Sequence, residues 1–293
     1  MTDPRLTRPA PKPSARSAAL LRVFVDPARP SHGGNPVPLV LDARGMAASD
    51  MQALAARYGH ESAFVFPAET EGHLRRLRFF VPAHEMEMCG HATVGALWAL
   101  RQWRQWTTPQ ARVQTLSGHV DIEWDDAAGR AWISQPAVTT SGLTAEQCRA
   151  IAHVLRIDPD LPGLDMVNAS TSRVKTLVRL PSVAALDALR PDFDAMRALC
   201  EAIGSTGLYP YALADGGACA RQFPKASGYP EDAATGIAAA ALWGYLSETG
   251  HVPADGIFTV RQGVAMGSPS AIQLRPRGDG SGCWLSGETQ WLT

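Results

Sequence analysis

Two hydrophobic helices built from small residues, half a chain apart, constrain this sequence more than any other feature. Apolar spacing predicts helices over residues 91–103 and 235–249, the second stopped by Gly250. The first contains Gly95-Ala96-Leu97-Trp98 and the second Ala240-Ala241-Leu242-Trp243, 145 positions further on. A helix with so little side chain on one face suits a place close to other backbone, deep inside a sheet or barrel. The shift is about half of the 293 residues, which points to an internal duplication with one central helix per half. On that shift Gly90 meets Thr235 and His91 meets Gly236. The match is only four residues long, and small-residue helices often look alike by composition alone.

Short strands surround these helices in the sequence. Runs rich in β-branched and aromatic residues occur at 20–25, 38–41, 62–66, 77–81, 119–124, 131–134, 174–178, 257–260 and 272–274. Within them Val120, Ile122 and Trp124 alternate with polar residues, so one face of that strand should be wet. Further helices are expected over 50–58, capped by Ser49 and stopped by Gly59, and from Thr144 to about Leu155 with a Thr144/Gln147 capping box. A last one is expected over 194–203, ended by Gly204. The fold class is therefore α+β.

Hydrophobic residues make up 45% of the chain and charged residues 19%, enough apolar content for a real core. The formal net charge of -1 offers nothing to attract nucleic acid or an anionic membrane. The longest apolar runs are broken well before the roughly 20 residues that a membrane span needs. Residues 1–18 are rich in proline and basic residues and poor in large apolar ones; we expect a disordered leader rather than a secretory signal. The five cysteines are odd in number and widely spaced, with no CxxC pair and no zinc-finger spacing to His, which suits a reduced, cytoplasmic location.

Candidate chemistry gathers where the two central helices begin. Before the first stands Glu87-Met88-Cys89-Gly90-His91-Ala92-Thr93, and before the second Glu231-Asp232-Ala233-Ala234-Thr235-Gly236. A helix N-terminus offers unpaired N–H groups and the positive end of the dipole, so each start could hold a carboxylate. Asp232 and Thr235 equally suit ordinary N-caps. Glu61 lies between the helix stop Gly59-His60 and an apolar strand, where desolvation can raise a carboxyl toward working pH; the same position suits an exposed strand end. His91 reads as an acid, a hydrogen-bond donor or a structural histidine at a helix start. Cys89 reads as a thiol activated by the helix end or as a small buried apolar residue.

These segments carry a family resemblance. Val23-Phe24-Val25, Gly33-Gly34-Asn35-Pro36, Glu61-Ser62-Ala63-Phe64-Val65 and Phe80-Val81-Pro82-Ala83 come first in the chain. Cys89-Gly90-His91-Ala92-Thr93-Val94-Gly95, Arg221-Gln222-Phe223 and the Glu231–Gly236 run follow, then Gln262-Gly263-Val264-Ala265-Met266-Gly267-Ser268-Pro269-Ser270. In that order, over roughly residues 20–275, they resemble the PhzF family of phenazine-biosynthesis-type proteins, which share the diaminopimelate epimerase fold. The resemblance implies two pseudo-symmetric domains, each a β-sheet or barrel curled around one central helix, with the active site between them. We take these as 19–128 and 129–261, with 262–293 crossing back to complete the first.

The resemblance further implies that Glu61 moves the proton, supported by His91 and Asp232. Asn35, His60, Gly90, Thr235, Gly236 and Ile237 fall on positions around the substrate. The reaction it implies is an isomerisation in which a carbon-bound proton leaves and returns elsewhere on a conjugated system. The expected partner is a small carboxylate-bearing or cyclic metabolite, with a homodimer the family expectation. No cofactor is implied, and the sequence has no motif for a metal, nucleotide or flavin.

Two departures touch the pocket. Ile237 stands where the family often has serine, and His60 where a small hydroxyl residue often precedes the glutamate, so the substrate is expected to differ from the phenazine precursor. Related two-cysteine epimerases and racemases need a thiol at each central helix start; Cys89 matches the first, but Ala233-Ala234-Thr235 offers none at the second. An epimerase or racemase of a small acid, or a binding protein that kept the fold without catalysis, stand as alternatives.

Overall fold

The computed structural model describes residues 18–252 and 256–292. The leader expected over 1–18 lies, apart from Ala18, outside the described residues. Compactness divides the chain into two units. One holds the described residues up to Val23, Pro36–Ile133 and those from Thr289 on; the other holds Phe24–Asn35 and Ser134–Glu288. In this division residues 262–288 belong to the second unit, and only the last few return to the first.

The first unit is largely β. Strand Ser62–Phe66 pairs antiparallel with Arg75–Phe80, Ser62 facing Phe80, and parallel with Asn35–Val40 through Leu39 and Ala63. Gln110–Thr115, Gly118–Asp125 and Arg130–Gln135 continue as an antiparallel meander. Val120, Ile122 and Trp124 are buried, while the residues between them are partly open, as their alternation predicts. The central helix of this unit is Gly90–Gln102, with ten of its thirteen residues buried. It lies close to the first strand: a Cβ built on Gly95 would come 2.8 Å from Val23 Cγ2. At its far end Trp98 and Trp103 pack on Trp291, with ring centroids 5.1 and 4.6 Å apart.

The second unit repeats the plan with different lengths. Asp165–Ser170 pairs antiparallel with Lys175–Arg179, which runs parallel to Gly207–Ala214. Gly217–Ala220, Phe258–Gln262, Ser270–Pro276 and Cys283–Ser286 extend the ladder. Its central helix, Gly236–Glu248, is more apolar than the first, with nine buried residues. Gly244 lies against a second chain segment; a Cβ there would stand 2.6 Å from Val138 Cβ. Helices Ala145–Leu155 and Phe193–Ala202 cover an apolar layer formed by Ile151, Leu155, Val178, Leu199, Leu208 and Phe223. Each such side chain contributes roughly 1.5–3 kcal/mol through burial.

Three local expectations change. The two central helices have equal length and begin 146 positions apart, at Gly90 and Gly236, with N-caps Cys89 and Thr235 in similar extended conformations. The Gly-Ala-Leu-Trp match is therefore one residue out of structural register and reflects shared small-residue composition. Cys89, rather than Gly90, is the counterpart of Thr235. Helix Ala48–Tyr58 starts earlier than expected, at N-cap Ala47, so Ser49 lies inside it; the Asp50 carboxylate accepts from the Ala47 N–H instead. Strand Gly207–Ala214 was not legible because Pro210 interrupts it. Proline lacks a donor, but its carbonyl still accepts from Arg221 N–H at 2.9 Å, so the strand passes through. By contrast the Thr144/Gln147 capping box forms as expected, with both reciprocal bonds present.

Candidate active site

In the first unit, Gly59 closes helix Ala48–Tyr58 in the left-handed conformation (φ 68°) that glycine adopts without strain. Three residues later the buried strand Ser62–Phe66 begins, and the Ser62 hydroxyl donates to the His60 carbonyl at 3.1 Å, tightening the corner. Glu61 is thus fixed at the mouth of a buried strand with its side chain 24% exposed: reachable, yet partly desolvated.

The start of the first central helix comes to meet it. Cys89 Sγ donates to Glu61 Oε2 at 3.0 Å. His91 Nδ1 lies 3.4 Å from the same carboxylate oxygen and 3.4 Å from Cys89 Sγ. The imidazole tautomer decides whether Nδ1 donates to these neighbours or accepts. Cys89 and His91 are almost fully buried. The Cys89 carbonyl is gripped by both the amide and the hydroxyl of Thr93, at 3.0 and 2.7 Å, so the cap residue is held rigidly. Gly90 is buried at the first helical position between them. His60 is exposed at its outer edge and joins neither cluster by a side-chain hydrogen bond among the described residues. Enough protein surrounds its ring to lower its pKa, with the Glu61 charge pulling the other way.

The second unit assembles a separate polar cluster. Asp232 Oδ2 accepts from the Thr235 hydroxyl at 2.5 Å, and Oδ1 from the Asn35 amide at 3.4 Å. Asn35 also donates to the Ala234 carbonyl at 3.1 Å, bracing this helix start. The Gln262 amide donates to the Asp232 carbonyl at 2.7 Å and to Thr235 Oγ1 at 3.1 Å, while its oxygen accepts from Thr235 N–H and from the Tyr209 hydroxyl. Burial pushes the Tyr209 phenol well above its ordinary range, and the Asp232 charge adds to this, so it stays a donor. Neither Asp232 nor Thr235 is an ordinary N-cap: the Thr235 side chain turns toward Asp232, and no side-chain oxygen caps either central helix. Gly236 and Ile237 open the helix. A Cβ on Gly236 would meet Leu285 at 3.2 Å, and Ile237 puts a half-buried apolar side chain at the second helical position.

Behind Asp232 stands a bolt. Arg221 grips Glu231 with two bonds, Nε to Oε1 at 2.9 Å and Nη2 to Oε2 at 2.7 Å, and its Nη1 donates to the carbonyls of Leu186 and Leu189. Both partners are buried. Gln222 O accepts from Asp232 N at 3.0 Å, tying the next residue to the same chain segment. Gly33 closes the turn that carries Asn35. With φ 76°, a Cβ there would stand 1.8 Å from the Pro269 carbonyl oxygen, so no other residue fits. Gln262 and Tyr209 were not foreseen as site residues. Gln262 opens one of the motifs quoted above, but a glutamine beside a glycine carries no chemical signal until its partners are known.

Known proteins resemble this chain in sequence and fold. A family model described as PhzC-PhzF, phenazine biosynthesis-like protein, matches residues 24–281. An uncharacterised isomerase of Deinococcus radiodurans is 32% identical over 253 residues, covering 82% of this chain and 81% of the relative. The trans-2,3-dihydro-3-hydroxyanthranilate isomerase of Pseudomonas aeruginosa is 30% identical over 250 residues, covering 84% and 86%. The solved structure of a predicted epimerase from Pseudomonas aeruginosa superposes with a TM-score of 0.80 at 27% identity, covering 95% of this chain and 97% of that one. The α+β, epimerase-like fold expected from the sequence is the one found. The chain belongs to the PhzC-PhzF family of phenazine biosynthesis-like proteins and is an isomerase of that family.

Proposed function

We propose that this isomerase performs a cofactor-independent proton shift in a small carboxylate-bearing or cyclic metabolite, with Glu61 as the acid and base. One observation carries the reading. A partly exposed carboxylate at a strand mouth is held on one oxygen by a buried thiol and a buried imidazole, at 3.0 and 3.4 Å. Such a group is fixed in place and still accessible, as a proton carrier must be.

In this reading the Glu61 carboxylate takes a carbon-bound proton. The C–H bond electrons pass into the substrate's conjugated system, and the new O–H of Glu61 returns its proton to a different carbon. Cys89 and His91 keep the carboxylate oriented through both halves. Asp232, supported by Thr235, Asn35 and Gln262, engages a polar group of the substrate. Ile237 removes a hydroxyl from the second helix start, which favours a substrate less polar at that point than trans-2,3-dihydro-3-hydroxyanthranilate.

The test is incubation of that compound and of less polar cyclic analogues with the protein in D2O, following deuterium incorporation and double-bond position by NMR. Glu61→Gln should lower exchange about 10²–10⁴-fold; unchanged exchange would overturn the assignment. A second reading is favoured by Cys89, a further exchangeable group on the same carboxylate. Deuterium entering one centre with inversion and no migrated double bond would identify an epimerase.

A further inference from the structure

We propose that Glu61, Cys89 and His91 form a binding site for one thiophilic divalent cation, Zn²⁺ by ligand chemistry, and that the bound ion blocks proton transfer at Glu61. The binding half stands on geometry alone; the blocking half rests on the proton-transfer reading above.

The three ligand atoms, Glu61 Oε2, Cys89 Sγ and His91 Nδ1, all lie within 4.8 Å of one another. Their separations are 3.0 Å between sulfur and oxygen, 3.4 Å between sulfur and nitrogen, and 3.4 Å between nitrogen and oxygen. A tetrahedral zinc, about 2.3 Å from sulfur and 2.0–2.2 Å from nitrogen and oxygen, sets its ligand atoms roughly 3.4–3.6 Å apart. Two edges of that face are already within about 0.2 Å of the required length. The third opens by about half an ångström once the thiol proton that now bridges sulfur and oxygen is gone.

Ligand type narrows the ion. One thiolate, one imidazole and one carboxylate suit Zn²⁺ or Co²⁺ and disfavour Mg²⁺ and Ca²⁺, which seek oxygen. Three protein ligands leave the fourth tetrahedral position open, as in zinc sites that keep a water. The ligands are also organised in advance: two are buried on the first turn of a rigid helix, with the Cys89 carbonyl clamped by Thr93, so little order is lost on binding. The exposed quarter of Glu61 gives an entry path. The positive helix end works against a cation, but it favours the thiolate, and two anionic ligands balance the ion's charge.

On binding, the Cys89 thiol proton leaves to solvent and a sulfur–metal bond replaces it. The Glu61 carboxylate is then bound to the metal through Oε2, which draws electron density from it and leaves its other oxygen too weak a base to take a carbon-bound proton.

The experiment titrates chelator-treated full-length protein with Co²⁺ and follows the thiolate-to-cobalt charge-transfer band and the intense visible bands of tetrahedral cobalt, then displaces it with Zn²⁺. One ion per chain is expected, with binding weakened about 100-fold or more in Cys89→Ser and clearly in Glu61→Gln, a substitution at a partly exposed position that spares the core. Bands that persist in Cys89→Ser, or that never form in the unaltered protein, overturn the site. Deuterium exchange by the zinc-loaded protein at the metal-free rate overturns the blocking half. Exchange that survives Glu61→Gln in metal-free protein refutes the proton-transfer reading instead, and leaves the metal titration standing.

Discussion

Replacing Arg221 by methionine tests whether the buried ion pair behind Asp232 holds the second helix start in place. The guanidinium makes four bonds, two to the Glu231 carboxylate and one each to the Leu186 and Leu189 carbonyls, and both charged side chains are less than a tenth exposed. Methionine fills much of the volume but leaves Glu231 as a buried charge without its partner. Breaking a buried pair from one side costs about 3–5 kcal/mol, most of it the desolvated charge left behind. Glu231→Gln alone should cost less, about 1–3 kcal/mol, because the amide oxygen can still accept one of the two bonds. The double variant Arg221→Met/Glu231→Met removes both charges and should be markedly less destabilised than the sum of its parts, with a coupling of about 2 kcal/mol or more. Urea unfolding followed by tryptophan fluorescence measures all four corners of the cycle. Because Glu231 adjoins Asp232, the single arginine variant should also lose proton exchange beyond its loss of folded protein. An arginine variant within about 1 kcal/mol of the parent, or a cycle that simply adds, would refute the argument that this pair is a desolvated bolt.

Three further outcomes follow from the same geometry. Thr235→Val keeps the shape but removes the hydroxyl that donates to Asp232 and accepts from Gln262; steady-state kinetics on an exchanging substrate should show KM rising more than kcat falls, and the reverse split would count against Asp232 as a substrate-holding group. Gly95→Ala should destabilise by about 1–2 kcal/mol even though alanine favours helix, because the new methyl overlaps Val23 Cγ2; combining it with Val23→Ala should recover stability relative to Val23→Ala alone, as read in thermal melts. Burial raises the Cys200 thiol to about 11 and the Cys283 thiol to about 12, from 9.0. Above pH 9 the unfolded chain gives up these protons while the folded chain keeps them, so their contribution is complete below pH 9 and stability falls as pH rises toward 11–12. Each thiol should lower stability by about 1.4 kcal/mol per pH unit inside its window, and Cys283→Ala should flatten that slope in urea midpoints taken at pH 8–11.

Much of the local architecture was legible in the residues. Gly59, Gly204 and Gly250 stop helices, Thr144 and Gln147 form a capping box, and strand Ser62–Phe66 falls on its expected limits, because such signals act over a few neighbours in the chain. The two central helices were legible for the same reason, from their apolar small-residue composition. Their register was not: a four-residue match suggested 145 positions, and the caps set 146. Composition says that a helix is buried, whereas the cap residue depends on where the chain turns.

The sequence by itself determined the α+β class, the central helices and the presence of Glu61, Cys89, His91 and Asp232 near element ends. Only the tertiary structure decided what those residues touch. The Cys89–Glu61 bond joins positions 28 apart, and the Asn35–Asp232 bond positions 197 apart. It was the folded chain that turned Thr235 from a cap into a donor, set Gln262 at the centre of a network, and brought thiol, imidazole and carboxylate within 3.0–3.4 Å of one another. Local propensity extends over one turn or one strand, so groups far apart in the chain meet only when sheet pairing and helix packing have closed the loops between them.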